Sequence, residues 1–403
     1  MENKVFCSKP FQEIYNHPEA NYTPCCWASP VSKNNPNTSL PMDHFDGEDF
    51  RRLRREMLLG KRTDFLYSYC KYCFDREDEQ ISSPRKKYNY VDKSILDNFD
   101  FDGSLKETKD RFITISINAY GNVCNLECYG CNPTVSTSRK ISLDKLQKNI
   151  IFNNIDFSDF YFDYDHKCVD INHDINFDDI VNHLVKYADN ISTIVIVGGE
   201  PMLMKKHFIL LDKLIELNKS KNISLSYVSN MTLMNVSNMK KYFENFQRTN
   251  IQWSVDALKE RNYWLRYPTN WDDTIKNVFE IQSYFKKNKH GSITSTITPS
   301  ILGIVTLRKT YNWLLVRDLI NKNNAITNLV VKPQILRTRN LPEEIKNNIS
   351  YDIKIISQTH YDDLMHTGNK RQFELAVKYF DLLDQSRGTD WRSTFPEVAK
   401  YVN

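Results

Sequence analysis

From residue 112 onward, short β-branched runs alternate with stretches whose apolar positions recur every three to four residues. The runs 112–118 (FITISIN), 191–197 (ISTIVIV), 223–229 (ISLSYVS), 251–256 (IQWSVD), 292–298 (SITSTIT) and 328–333 (NLVVKP) predict strands. Helical periodicity lies between them, near 141–150, 205–218, 235–248, 271–288 and 308–322; Phe208, Leu211, Leu214 and Ile215 share one face of the second stretch. Strand and helix alternating about six times predict an α/β fold with a parallel sheet, open or curled into part of a barrel. In such sheets the chemistry gathers at the carboxyl ends of the strands, so the loops that follow them are the places to examine.

The flanks follow other patterns. Residues 75–110 carry charges and a Ser-Ser-Pro without periodicity and predict a linker or wrapping segment, with a boundary near 105. After the last strand, 342–365, 370–386 and 394–402 predict helices, with Leu375, Val377, Phe380 and Leu383 on an apolar face that covers the open side of the sheet. The expected organisation is therefore 1–104, 105–335 and 336–403.

Composition narrows the classes. With 403 residues, 40% hydrophobic and 26% charged, the chain is neither disordered nor fibrous. A net charge of +4 does not predict a nucleic-acid partner or a membrane surface, and no apolar run reaches the ~18 residues of a membrane helix. The start, MENKVFCSKPF, has no secretory h-region, and nine cysteines are an odd number, so the expectation is a reducing cytoplasm rather than a disulfide framework. Clustered thiols in that compartment bind metal or carry redox chemistry.

Directly after the first predicted strand comes NAYGNVCNLECYGC, with Cys124, Cys128 and Cys131 in a C-x3-C-x2-C loop. Three soft thiolates on one tight loop suit three corners of a 4Fe-4S cube and leave the fourth iron open to an amine and a carboxylate; a zinc site with a distant fourth ligand, or plain core thiols, are the other readings. The second strand ends in Gly198-Gly199-Glu200-Pro201, where two glycines permit close approach of a ligand and a carboxylate can accept from an ammonium group; alone, this is also a strand-ending turn.

CNLECYGC after strand one, GGEP after strand two and the alternation to about residue 333 together resemble the radical S-adenosylmethionine (SAM) enzymes. The resemblance implies a partial (β/α)6 TIM-like barrel. It also implies a 4Fe-4S cluster on Cys124, Cys128 and Cys131, whose open iron chelates the methionine end of SAM while Gly198, Gly199, Glu200 and Pro201 receive the amino group. One electron, from an external donor such as flavodoxin or ferredoxin, then releases a 5′-deoxyadenosyl radical that abstracts a substrate hydrogen. The family usually has an aromatic residue just before the third cysteine; here Gly130 stands there, and Tyr129 one position earlier is either the substitute on the adenine side or an exposed loop residue. In SVDALKERNYWLRYPTNW, Ser254 and Asp256 can bond the ribose or carboxylate of SAM, and Arg266 can pair with the carboxylate. Asn230 closes the third strand in a similar place. Their alternative roles are a helix cap for Asp256, a surface ion pair for Arg266 and a loop cap for Asn230.

The front of the chain, CSKPFQEIYNHPEANYTPCCWASP and then GEDFRRLRREMLLGKRTDFLYSYCKYC, places Cys7, Cys25, Cys70 and Cys73 so that four thiols can close around a metal, zinc by default. The pattern resembles the auxiliary-cluster segment of the twitch/SPASM subset of radical SAM enzymes, which implies a second 4Fe-4S cluster. It departs in lying before the barrel, in having Ala20 where a glycine is usual, and in offering both Cys25 and Cys26; Cys25 follows Pro24 at the expected distance. Arg51, Arg52, Arg54 and Arg55 read as a solvated helix face, and 156–179, with His166, Cys168 and His173, as an acidic surface insertion. The expected function is radical SAM chemistry on a peptide or protein. A carbohydrate or nucleotide-derived metabolite is the second class of substrate, and a non-enzymatic zinc-binding module the alternative outside catalysis.

Overall fold

The structure, a computed structural model, describes residues 5–16, 22–29, 40–80, 83–87, 93–117, 121–147, 177–320, 326–330 and 332–402. His166, Cys168 and His173 lie outside the described residues. The chain divides into two compact units, one of 1–121, 169–227 and 240–250, the other of 122–168, 228–239 and 251–403.

The first unit is built on strands β1 (Glu13–Asn16), β2 (Tyr22–Thr23), β3 (Ile113–Ile117), β4 (Ile191–Ile196) and β5 (Ser224–Ser229), in the order β2-β1-β3-β4-β5. β3, β4 and β5 are parallel, with Ile115 opposite Ile194 and Ile194 opposite Leu225. Ile113, Ile115, Ser116 and Ile117 are all buried, as in a parallel strand covered on both faces, and this explains a β-branched run in place of alternation. Helix Lys206–Glu216 seats Leu210, Leu211 and Leu214 in the core. Helix Phe177–Lys186, which seats Ile180, Val181 and Leu184, is not among the predicted elements; the carboxylates of 156–179 mask its start.

Two further elements of this unit differ from expectation. The chain before 112 carries its own hairpin, β1 with β2 antiparallel, and β1 runs parallel to β3 with Ile14 opposite Ile115. The basic run is not a uniformly solvated face. Arg51 pairs with Asp46 and Arg52 with Glu56, but Arg54 is fully buried and donates to the carbonyls of Gly103 (2.6 Å), Pro10 (3.1 Å) and Phe45 (2.7 Å). Part of the expected linker is also helical, since Asp64–Asp78 reaches into it and Pro84–Lys87 and Lys93–Leu96 follow.

β5 and strand β6 (Arg248–Ser254) continue into the second unit, where the order runs β6-β7-β8 with β7 at Gly291–Ile297 and β8 at Ile326–Thr327. β7 and β8 are parallel, which completes six strand-and-helix repeats of a partial (β/α)6 barrel from β3 to β8. Helix Trp271–Asn288 keeps its expected bounds because both ends are signalled: Asn270 accepts from the Asp273 N–H (3.2 Å), and Lys289 turns left-handed at φ 59°. The next helix stops at Leu315 instead of 322, and β8 is two residues at 326–327 where 328–333 was expected. The C-terminal helices Glu343–Ile356, Gln358–Met365 and Lys370–Arg387 follow. Phe380 of the last packs edge-on against Trp264 (5.7 Å) and Trp391 (5.4 Å). Among the described residues no helix is long and apolar enough to cross a membrane.

Candidate cofactor sites

The thiol loop belongs to the second unit, and its main chain is tied down on both sides of Cys128. The Glu127 N–H donates to the Tyr267 carbonyl (2.6 Å) and the Tyr129 N–H to the Leu265 carbonyl (3.1 Å). Ser138 donates to the Cys124 carbonyl, and the Cys131 N–H closes a turn on the Cys128 carbonyl (3.0 Å). Asn125 joins the loop to the segment after β5, donating to Thr232 (2.9 Å) and accepting from Asn230 (3.0 Å). Asn230 also accepts from the Thr232 N–H (2.9 Å), so it caps its own loop.

Tyr129 does not stand on an exposed loop tip. Its ring is 4% exposed, edge-on to Trp264 (5.3 Å), and its hydroxyl meets Ser300. At the neighbouring Gly130 a Cβ would lie 3.4 Å from Leu336 Cδ1, an ordinary contact, so space alone does not demand the glycine.

Arg266 is neither on the surface nor simply paired. Its side chain is 15% exposed, its Nε lies 3.3 Å from Asp256 Oδ2, and its Nη1 donates to Cys128 Sγ at 3.6 Å. Burial pulls this guanidinium down, but Asp256 and the three thiols outweigh it and hold its pKa above the ordinary value. Asp256 accepts from the Thr298 N–H (2.9 Å) and caps no helix; Ser254 is half-buried at the end of β6. Burial pushes the Cys131 thiol up to about 12, with the nearby Cys128 and Cys124 adding to it, and raises Cys128 against the opposing effect of Arg266. Cys128 and Cys131, both pushed up by burial, stand with Cys124 as a donor set that needs a cation among them, and this fits a bound iron–sulfur group.

The glycine-rich turn lies in the first unit. Gly198 has φ 114°, a conformation that side chains avoid, and Glu200 is fully buried, its carboxylate accepting from the Met202 N–H (3.4 Å) to cap the turn Pro201–Leu203.

The first unit also gathers five cysteines. Cys7, Cys25, Cys26, Cys70 and Cys73 line one cavity of about 230 Å³ with Lys9, Glu13, Trp27, Tyr69 and Arg85. Cys70 and Cys73 face it from one turn of helix Asp64–Asp78, which leaves helical geometry at Cys70 (φ −104°, ψ 16°). Main-chain N–H groups point at three of the sulfurs: Lys9 at Cys7, Trp27 at Cys25 and Arg85 at Cys73. Burial pushes Cys7 up to about 11; it also raises Cys70 and Cys25, with Cys7 next in its effect on Cys70 and Cys26 next in its effect on Cys25. In the cavity wall Lys9 pairs with Glu13, and Arg85 pairs with Glu77 behind it. Cys25 is half-buried and Cys26 exposed, though both reach the cavity. Among the described residues no three His, Cys, Asp or Glu side chains converge as the ligands of a single metal ion do. A tetrahedral zinc draws its sulfurs to about 2.3 Å, whereas a cube holds its thiolates farther apart.

Sequence reasoning missed Arg139, Arg387, Ser300 and Arg85. Nothing local marks them, because their partners are distant main-chain and hydroxyl oxygens.

Residues 118–304 match the Radical SAM superfamily. Among solved structures the chain is similar to native anSMEcpe with bound AdoMet and Cp18Cys peptide, at 18% identity and TM-score 0.39 over 59% of this chain and 58% of that one. It is also similar to native anSMEcpe with bound AdoMet, at 19% identity and TM-score 0.37 over 60% and 61%. The matched part is thus less than two thirds of either of those chains. No curated protein matches.

Proposed function

We propose, for a chain that carries a Radical SAM superfamily domain over residues 118–304, that Cys124, Cys128 and Cys131 hold a 4Fe-4S cluster at which SAM is cleaved reductively. The observation that carries this reading is the thiol loop: three sulfurs on one anchored turn, with a buried arginine N–H on the middle one. When bound there, such a cluster would supply the single electron for reductive cleavage of the SAM sulfonium, and with it the radical chemistry that removes a substrate hydrogen. The chain's own residues bind and orient. The backbone at Gly198 and Gly199, with Glu200 and Pro201, offers acceptors for the ammonium group of SAM; Ser254 and Asp256 offer polar atoms for its ribose. Asn230 fixes the loop through Asn125. Tyr129 anchors the loop from beneath, and its buried ring helps to keep water out.

The N-terminal cavity is read as an auxiliary 4Fe-4S site on Cys7, Cys25, Cys70 and Cys73. Support comes from the size of the cavity, its wall of thiols and the N–H groups aimed at the sulfurs. The substrate is read as a peptide or protein, the electron donor as a flavodoxin or ferredoxin, and the compartment as the reducing cytoplasm, where such thiols stay reduced.

Anaerobic reconstitution followed by iron and sulfide analysis and a search for 5′-deoxyadenosine tests the reading. About eight irons per chain and SAM cleavage are expected. Zinc without iron refutes it in favour of a zinc-binding module, and deuterium transfer into 5′-deoxyadenosine from labelled sugars or nucleotides but not from peptides moves the substrate to the other class.

A further inference from the structure

Three consecutive residues of the thiol loop each receive one guanidinium. Arg387 donates to the Glu127 carbonyl, Arg266 to Cys128 Sγ (3.6 Å) and Arg139 to the Tyr129 carbonyl (2.9 Å). All three come from outside the loop. Arg139 lies in helix Thr137–Gln147, Arg266 directly after helix Glu260–Leu265 and Arg387 at the end of helix Lys370–Arg387. Arg139 is fully buried, Arg387 nearly so, and Arg387 reaches a second carbonyl at Trp264 (3.4 Å). A role in folding alone asks for donors, which neutral side chains also supply. Three guanidiniums on and beside one sulfur, against the single carboxylate of Asp256 next to Arg266 (3.3 Å), do more, because at low effective dielectric their field on a nearby charge is strong.

We propose that Arg139, Arg266 and Arg387 form a cationic cradle that sets how readily the cluster on Cys124, Cys128 and Cys131 accepts its electron. The inference rests on the reading that these thiols hold the cluster. Cluster potentials depend on net charge, on hydrogen bonds to the sulfurs and on exposure, and the cradle supplies the first two in a dry place. Adding one electron makes the cluster more negative by one charge, which nearby cations favour, so the cradle raises the potential and eases reduction by a donor of the flavodoxin or ferredoxin class. Arg139 and Arg387 are positioning residues, because they act through the loop and its thiolates; Arg266 adds this to the pairing with the SAM carboxylate that the resemblance implies.

The test is a potentiometric titration of the reduced cluster, followed by electron paramagnetic resonance, in the Cys70→Ala background so that one cluster signal remains. Arg139→Gln, Arg387→Gln and Arg266→Gln are each expected to lower the equilibrium constant for uptake of one electron about tenfold, a shift of about 59 mV to more negative potential. Arg266→Lys restores most of it. Tyr379→Phe is the control, because the Tyr379 hydroxyl donates to the same Tyr129 carbonyl (2.8 Å) without a charge, and its midpoint stays at the parent value. Unmoved midpoints in the glutamine variants, or an equal shift in Tyr379→Phe, overturn the proposal. If Arg139→Gln does not fold, Arg266→Gln decides alone. A parent protein that assembles no cluster on these thiols refutes the underlying reading instead, and is told apart by its iron content.

Discussion

Arg54→Leu is the sharpest test of how the N-terminal cysteines are held. The guanidinium satisfies three carbonyls from three segments: Pro10, which closely follows Cys7, Phe45, and Gly103. It also lies over the rings of Phe45 (4.8 Å) and Phe99 (4.6 Å). Replacement by leucine removes the cost of holding a cation out of water together with the hydrogen bonds that offset it, and leaves three buried carbonyls without donors at ~1–3 kcal/mol each, about 6 kcal/mol in all. The burial regained by leucine returns about 2 kcal/mol. The net expectation is a loss of about 4 kcal/mol. Because the chain has two units, one global unfolding free energy is not well defined, so native-state hydrogen exchange is the appropriate assay. Amides at 11–16 and 99–106 should exchange roughly a thousandfold faster, at 1.4 kcal/mol per tenfold, while those of 271–288 stay as they were. Protection of both segments within about 0.5 kcal/mol of the parent refutes the account, since that is the effect of an ordinary surface substitution.

Cys124→Ala, Cys128→Ala or Cys131→Ala should each abolish 5′-deoxyadenosine formation in the presence of reductant and SAM; cleavage that survives all three removes these residues from the site. Cys70→Ala should lower the iron count by about four and leave some SAM cleavage, and an unchanged count argues against the auxiliary site. Burial lowers the His207 pKa to about 4 from an ordinary 6.5, so the unfolded chain binds the extra proton between those values. The stability it confers is fully present above pH 6.5 and is lost as pH falls through 4, roughly 3 kcal/mol in all. His207→Leu should flatten that part of the stability profile measured by exchange of the amides of Lys206–Glu216, and an unaltered slope counts against it.

The repeating core was readable because burial acts locally on composition. β3 is buried at four of its five residues and reads as a β-branched run, β5 and β6 alternate buried with partly exposed residues, and Trp271–Asn288 carries its own start and stop residues. β8 was misplaced because two paired residues leave no period to detect, and β1 and β2 are short for the same reason. The thiols of both sites were legible from spacing. What surrounds them was not, since a buried arginine is chosen by oxygens far along the chain: Arg54 by Gly103, Arg139 by Tyr379 and Arg387 by Glu127. Tyr129 shows the same limit, because sequence places it beside the cysteines but only packing against Trp264 and Ser300 turns it inward.

The two thiol sets meet the same difficulty, crowded sulfurs that must carry negative charge out of water, in different ways. Around Cys128 the compensation is ionic, with a guanidinium on the sulfur, two more on the flanking carbonyls and one carboxylate, Asp256, beside the first. In the N-terminal cavity the donors nearest the sulfurs are main-chain N–H groups, and the charged side chains in the wall are already matched, Lys9 with Glu13 and Arg85 with Glu77. Four thiolates also give a cluster one more negative charge than three. Both differences act in one direction, because a more negative cluster beside evenly matched pairs resists an added electron more than a less negative one beside three guanidiniums and the one carboxylate of Asp256. The auxiliary site should therefore have the lower midpoint potential of the two. Separate titrations in the Cys70→Ala and Cys124→Ala proteins measure each alone, and the reverse order would mean that factors other than the charges beside these sulfurs govern their redox behaviour.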